Sequence, residues 1–239
     1  MPEALVNSKA DIRQRLLITA IRLFAEHGVG AVSMRTINAE AGSKNKSAAH
    51  YYFGSKQGII DGIVELTKAC SHPVAEDLTA KIKPMVEKGE ASISDVLLVT
   101  FMPIVNIYQQ PEFGKQLIKL WARMLIETDS AEEDRINELF TTSIEEVLQM
   151  LQRLLPEKNT KDLKFHLVHS CLAFTMGLAT VDLMDSTPLG DIRFNNEIET
   201  LMSLMTYISG GISNQAATVE NINLEFWQQY LSQNLFILS

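Results

Sequence analysis

Cysteine is nearly absent. Only Cys70 and Cys171 occur in 239 residues, far apart and outside any CxxC spacing. That excludes a disulfide framework or a zinc-thiolate site as the organising feature, and both thiols are expected to stay reduced. Long apolar runs are missing too, since none approaches the ~20 residues needed to cross a bilayer. The opening MPEALVNSKADIRQ lacks the apolar core of a signal peptide, so the chain is expected in the cytoplasm and off the membrane. There is no glycine-rich phosphate loop after a strand, no nucleophile elbow, no HExxH and no convincing strand. An enzyme is therefore not expected, no cofactor is implied, and the fold class is all-α.

Positive charge is also scarce, with 21 Lys and Arg against 29 Asp and Glu, a net charge of −8. Its distribution is uneven. Between Lys9 and Lys68 stand nine basic and five acidic residues, net +4, which leaves −12 on the remainder. A basic head on an acidic body lets one small face bind phosphate while the whole avoids indiscriminate adhesion to nucleic acid. The 46% hydrophobic and 21% charged content is ordinary for a globular chain of one or two domains.

The informative stretch is Ser33 to Lys56, SMRTINAEAGSKNKSAAHYYFGSK. Ser33 is placed to cap a short helix over 34–41, with Met34, Ile37 and Ala41 on its apolar stripe and Gly42 at its end. After Ser43-Lys44, residues 45–53 read as a second short helix. It is too short to persist without packing partners, and Phe53 is its expected anchor. Ser55 then caps a helix carrying Ile59, Ile60, Ile63 and Val64. Lys46 and Lys56 stand at or near helix starts, where a cation opposes the macrodipole, whose favourable charge interactions are worth roughly 0.3–1 kcal/mol. Beside free helical N–H groups, lysines so placed suit an anionic partner better than they suit the fold.

Upstream, residues 10–27 carry Ile12, Leu16, Ala20, Leu23 and Phe24 at helical spacing, and Gly28 stops the helix. Val29-Gly30-Ala31-Val32 links it to the second helix. The helix from Ser55 is expected to end near Ser71, broken by His72-Pro73. Three helices on one small core with a longer one leading away make a helix-turn-helix domain with an exit helix. The expected division is a helix-turn-helix DNA-binding domain over 1–54, a connecting helix over 55–72 and a helical body over 73–239.

The order ITAIRLFAEHGVGAVSMRTINAEAG, then NKSAAHYYFGSKQGII, resembles the N-terminal DNA-binding domain of TetR/AcrR-type transcriptional repressors over roughly residues 10–65. The turn Ser43-Lys44-Asn45-Lys46-Ser47 is one residue longer than the family's usual one, and His50 stands where tyrosine is common. The resemblance implies that the second helix of the motif enters the major groove, bringing Asn45, Lys46, Ser47, Ala48 and His50 nearest the bases. Ala48 would touch a thymine methyl, and Asn45 or Ser47 would bond base edges. Tyr51, Tyr52 and Lys56, with Ser33, Arg35 and Thr36, would reach phosphates. One of the two tyrosines is expected to be partly buried, without the residues deciding which.

Beyond Pro73 the chain turns acidic. An interrupted helix is expected over 74–91, broken at Pro84 and Lys88-Gly89. Ser92 with Asp95 then opens an apolar helix to Tyr108, kinked at Pro103. Further helices are expected from Pro111 to about Thr128, from a capping box at Ser130 and Glu133 to Pro156, over 160–185, and over 195–209. The last two carry too much apolar surface for water, including Cys171 to Leu183 nearly all round, and are the expected homodimer contact. The resembled family pairs its subunits this way. A palindromic operator in double-stranded DNA requires two heads ~34–36 Å apart or a multiple of that. Ser209 to Ala217 reads as a flexible link before a last helix marked by Phe226, Trp227, Tyr230 and Leu231.

A ligand-binding role for the body is implied by the resemblance. Phe101, Met102, Tyr108, Trp121, Met124, His169, Phe174 and Met176 are the candidate lining of an adaptable cavity for a small apolar or amphipathic effector. Asp162, His166 and His169 share a helix face at i, i+4 and i+7, but three groups without a fourth ligand do not make a metal site. The residues and the resemblance together point to a dimeric, effector-released repressor. The alternative is a helical scaffold whose N-terminal domain contacts protein instead of DNA.

Overall fold

The computed structural model describes residues 3–127, 144–192 and 196–213, with side chains described from residue 12 onward except at 197 and 198. Among these residues the fold is all-α. Helix α1 (Glu3–His27) begins earlier than its apolar stripe requires and buries Leu16, Leu17, Ala20, Ile21, Leu23 and Phe24. Helix α2 (Met34–Glu40) starts as its cap dictates, with the Ser33 hydroxyl accepting from the Thr36 N–H at 3.1 Å. Helix α3 (Ala48–Phe53) begins three residues later than expected. Asn45 accounts for the delay: its Oδ1 accepts from the Ser47 N–H at 2.9 Å, an Asx turn that competes with helical geometry.

Helix α4 (Lys56–Lys88) is capped by the Ser55 hydroxyl, which accepts from the Gly58 N–H at 3.1 Å, and it ends at Gly89 in the left-handed conformation. It runs unbroken through Pro73 and Pro84, so the expected stops at His72-Pro73 and at Pro84 are corrected. A proline inside a helix costs ~3 kcal/mol or more. Here α4 lies along α5 (Ile93–Tyr108), and Asn106 of α5 donates to the Cys70 carbonyl at 2.9 Å, fixing the backbone beside Pro73. Helix α5 opens on the expected box: the Ser92 hydroxyl accepts from the Asp95 N–H, and the Asp95 carboxylate accepts from the Ser92 N–H and hydroxyl.

Helix α6 (Gly114–Met124) packs on α1 on one side and on α8 (Thr160–Ala179) on another. Helix α7 covers residues 144–154. The helix expected over 160–185 divides into α8 and a 3-10 turn, Val181–Asp185. Helix α9 (Glu197–Ser213) continues through Gly210 and Gly211, so the expected link does not begin at Ser209. A Cβ on Gly177 of α8 would meet the Leu204 side chain at 3.1 Å, so this glycine admits α9 of the same chain. Met205, Ile208 and Ile212 are buried, whereas Met202 and Tyr207 face outward. The Ser130–Glu133 capping box and the helix around Phe226, Trp227, Tyr230 and Leu231 lie outside the described residues.

Candidate nucleic-acid interface and effector cavity

The head is organised by Asn38, a residue whose importance the sequence conceals. It is 3% exposed. Its Oδ1 accepts from the Ala49 N–H at 2.8 Å and its Nδ2 donates to the Lys46 carbonyl at 2.9 Å, so one amide ties α2 to both sides of the turn before α3. The only sequence signal is a polar residue next to Ile37 on the inward face. The turn is further fixed by Ser43, whose hydroxyl donates to the Asn45 carbonyl at 3.0 Å.

On this frame Ser33, Arg35, Thr36, Asn45, Lys46, Ser47, His50 and Tyr51 are exposed together on α2, the turn and α3. Asn45 Oδ1 is committed to the turn, accepting from the Ser47 N–H. His50 Nδ1 lies 3.0 Å from the Gly54 carbonyl, closing α3. Tyr51 is 70% exposed and Tyr52 is half-buried, their rings meeting edge to face with centroids 5.0 Å apart, which resolves which tyrosine joins the core. Two expectations need correction. Ala48 is 3% exposed and packed inward, so it does not offer its methyl to a thymine in this arrangement. Lys56 is half-buried, and its ammonium donates to the Val29 carbonyl at 2.8 Å and the Gly30 carbonyl at 3.4 Å. Its charge therefore bridges α4 to the α1–α2 link, offsetting its unfavourable place in the first turn.

Head and body meet where α1 ends. Arg123 of α6 points Nη1 at the Glu26 and Ala25 carbonyls, 3.3 and 3.5 Å away, and pairs through Nε with Glu127 at 2.7 Å. A cation at the negative end of a helix is favourable. Gly28 has φ +82, and a Cβ there would meet the guanidinium at 3.1 Å. Glycine is thus required both for the turn and for the approach of Arg123.

A cavity of about 660 Å³ lies between α5, α7 and α8. Ile104, Leu125, Ile144, Leu148, Leu167 and Leu172 supply its aliphatic walls, with Thr100, Thr175, Cys171, Glu145, Gln149, Gln152, Thr160 and Lys164 adding polar groups. None of the eight residues expected from the sequence lines it. Phe101 and Phe174 are fully buried and stack on each other with centroids 4.4 Å apart; Tyr108, Trp121 and Met124 are buried, and Met102 and Met176 half-buried. Large side chains fill space, so they hold the helices together around the cavity instead of bounding it. Burial pushes the Cys171 thiol up to about 12, so it remains protonated and unreactive.

His169 is exposed, stacked on the exposed Phe165 ring at 3.9 Å with its Nδ1 2.8 Å from the Phe165 carbonyl. Asp162 is exposed and His166 half-buried, and among the described residues no His, Cys, Asp or Glu cluster is arranged to hold a metal.

A helix-turn-helix head joined through α4 and α6 to a helical body with a cavity defines a DNA-binding regulator with a ligand-binding domain. The model of bacterial regulatory proteins of the tetR family matches residues 16–63, and that of the tetracyclin repressor-like C-terminal domain matches residues 99–211. The chain belongs to the TetR family of transcription regulators, which are DNA-binding proteins and not enzymes, and among which repression and homodimerisation are typical. No curated protein matches it in sequence. Among solved structures, a HlyIIR mutant carrying a linker with two thrombin sites is 18% identical, with 87% of this chain and 100% of that one covered and a TM-score of 0.54. A protein from Mesorhizobium loti described as a TetR-family regulator is 13% identical (86% and 95% covered, TM-score 0.43). A γ-butyrolactone receptor, ArpA-like, is 16% identical (85% and 99% covered, TM-score 0.42). At these identities the first supports the fold alone. No helix among the described residues is long and apolar enough to cross a membrane.

Proposed function

We propose that this regulator is a cytoplasmic homodimeric repressor that reads a palindromic operator in double-stranded DNA and is released when a small apolar or amphipathic effector enters the cavity between α5, α7 and α8. The reading rests on one observation above others: Asn38 holds α2 and α3 rigidly while Arg35, Thr36, Asn45, Lys46, Ser47, His50 and Tyr51 stand exposed together. Asn45, Ser47 and His50 are assigned to base edges, and Ser33, Arg35, Thr36, Lys46 and Tyr51 to phosphates. Tyr52 and Lys56 support the head from beneath. The head extends to residue 54, residues 55–72 connect it, and the body follows from 73, with α4 continuous across that last boundary.

Dimerisation is assigned to the outward faces of α8 and α9, where Phe165, Met202 and Tyr207 are 58%, 60% and 76% exposed. Effector binding favours a pose in which the heads no longer match the operator, and a few kcal/mol of differential affinity suffices for release. Selection of bound sequences from a random DNA pool is expected to return a two-fold symmetric site. Lys46→Ala is expected to weaken binding to it uniformly and to lower the salt slope by about 1. Absence of any sequence preference at low salt would instead favour a head that contacts protein.

A further inference from the structure

The cavity is polar at both ends and aliphatic between. At one end the Phe101–Phe174 stack pins α5 to α8, and the residues next in sequence to those rings, Thr100 and Thr175, both line the cavity. Thr100 Oγ1 is fully buried and has no hydrogen-bond partner among the described residues. A hydroxyl left in that state is unfavourable to bury and is relieved by a partner from outside the chain.

At the other end Gln152 of α7 donates to the Thr160 hydroxyl at 3.0 Å where α8 begins, and Lys164 stands one turn further along the same face. Among the described residues lining the cavity, Lys164 is the single cation, and Gln149, Gln152 and Thr160 add donors beside it. Glu145, the single carboxylate among those described residues, is exposed and lies two turns back along α7 from Gln152, about 10 Å away by helical rise. Between the two ends run Ile104, Leu125, Leu148, Leu167 and Leu172. Lys164 and Thr175 are eleven residues apart on one helix, so the ends are separated by ~16 Å.

From this layout we infer that the effector is an elongated, bipolar amphiphile: a straight apolar chain with an anionic head group held by Lys164 and a hydroxyl or carbonyl oxygen at its far end, bonded to Thr100. This rests on the cavity being the effector site and adds the class of molecule it selects. A plain hydrocarbon would leave Thr100 unsatisfied, and a short acid would reach only one end.

Calorimetric titration of the full-length protein with 12-hydroxydodecanoate, dodecanoate, 1,12-dodecanediol and dodecyltrimethylammonium separates the elements. The hydroxy acid is expected to bind about three- to tenfold more tightly than dodecanoate, as one net hydrogen bond implies. Thr100→Val, which keeps the shape and removes the hydroxyl, is expected to erase that difference while leaving dodecanoate unchanged. Lys164→Met is expected to weaken both acids and leave the diol unchanged, and Glu145→Gln is expected to weaken neither acid. Equal binding of hydroxy acid and plain acid would overturn the assignment to Thr100. Binding of the ammonium or the diol at least as tight as that of the acids would overturn the anionic head group. Either result leaves an apolar effector site standing, whereas no binding by any of the four overturns the site itself together with this inference.

Discussion

The turn of the head and the cavity of the body treat their polar groups in opposite ways. In the head, Asn38 spends both ends of its amide on backbone partners, Asn45 and Ser43 close the turn, and Lys56 spends its ammonium on the carbonyls of Val29 and Gly30. In the body, a cavity of about 660 Å³ is lined by Thr100, whose buried hydroxyl has no partner among the described residues. The contrast fits two kinds of recognition. A surface that must match a fixed duplex gains from satisfied, rigid geometry, because every freedom left in it is lost on binding. A cavity that must respond to a molecule gains from an unmet bond and unfilled volume, because binding energy is what shifts a conformational population.

The comparison can be broken most severely in the body. Phe174→Ala removes one ring of the stack that pins α5 to α8 and is expected to cost about 3–5 kcal/mol, read from denaturant unfolding. The same variant should leave hydrogen exchange in α2 and α3 unchanged. Asn38→Ala is the matching lesion in the head. It leaves the Ala49 N–H and the Lys46 carbonyl without partners, and the expected cost is about 2–4 kcal/mol, with fast exchange confined to residues 34–53 and loss of operator binding. Operator binding at wild-type affinity by Asn38→Ala would show that the turn does not need its buried amide.

What could be read from the sequence was whatever local chemistry determines. The caps at Ser33, Ser55 and Ser92 with Asp95 need only residues three positions away, and all three form. The head as a whole was legible for the same reason, since its helices are short and their ends are marked. The prolines of α4 misled because packing along α5 outweighs a local penalty. Ala48 and Lys56 were placed on the right element, but their side chains turn inward to the core and to the α1–α2 link. The cavity was least legible. A void is defined by what is not filled, so the bulky residues that looked like its lining became its supports, and aliphatic and non-aromatic polar residues bound it.

The junction between the two regions gives an intermediate effect. Gly28→Ala forces an L-residue to φ +82 and drives a methyl towards Arg123, for an expected loss of about 1–2 kcal/mol. Combining it with Arg123→Met separates the two causes. The contact part of the loss should vanish in the double variant, while the backbone part persists. A loss that is identical in both backgrounds would mean that Arg123 does not press on α1.

The smallest effect concerns the cap of α5 and acts on the body through protonation. Hydrogen bonds from the Ser92 hydroxyl and N–H to the Asp95 carboxylate hold its pKa below the ordinary value of 3.8. A carboxyl whose folded pKa is depressed stabilises the fold above its unfolded value, and that contribution is lost as pH falls through the folded one. The wild-type protein should therefore lose this increment only below about pH 4. Asp95→Asn keeps an acceptor but not the charge, so its deficit in melting temperature should be largest near neutrality and shrink towards pH 3 as the wild-type carboxyl protonates. A deficit that is constant over that range would show that the cap works through shape alone and that its charge contributes nothing to the helix it opens.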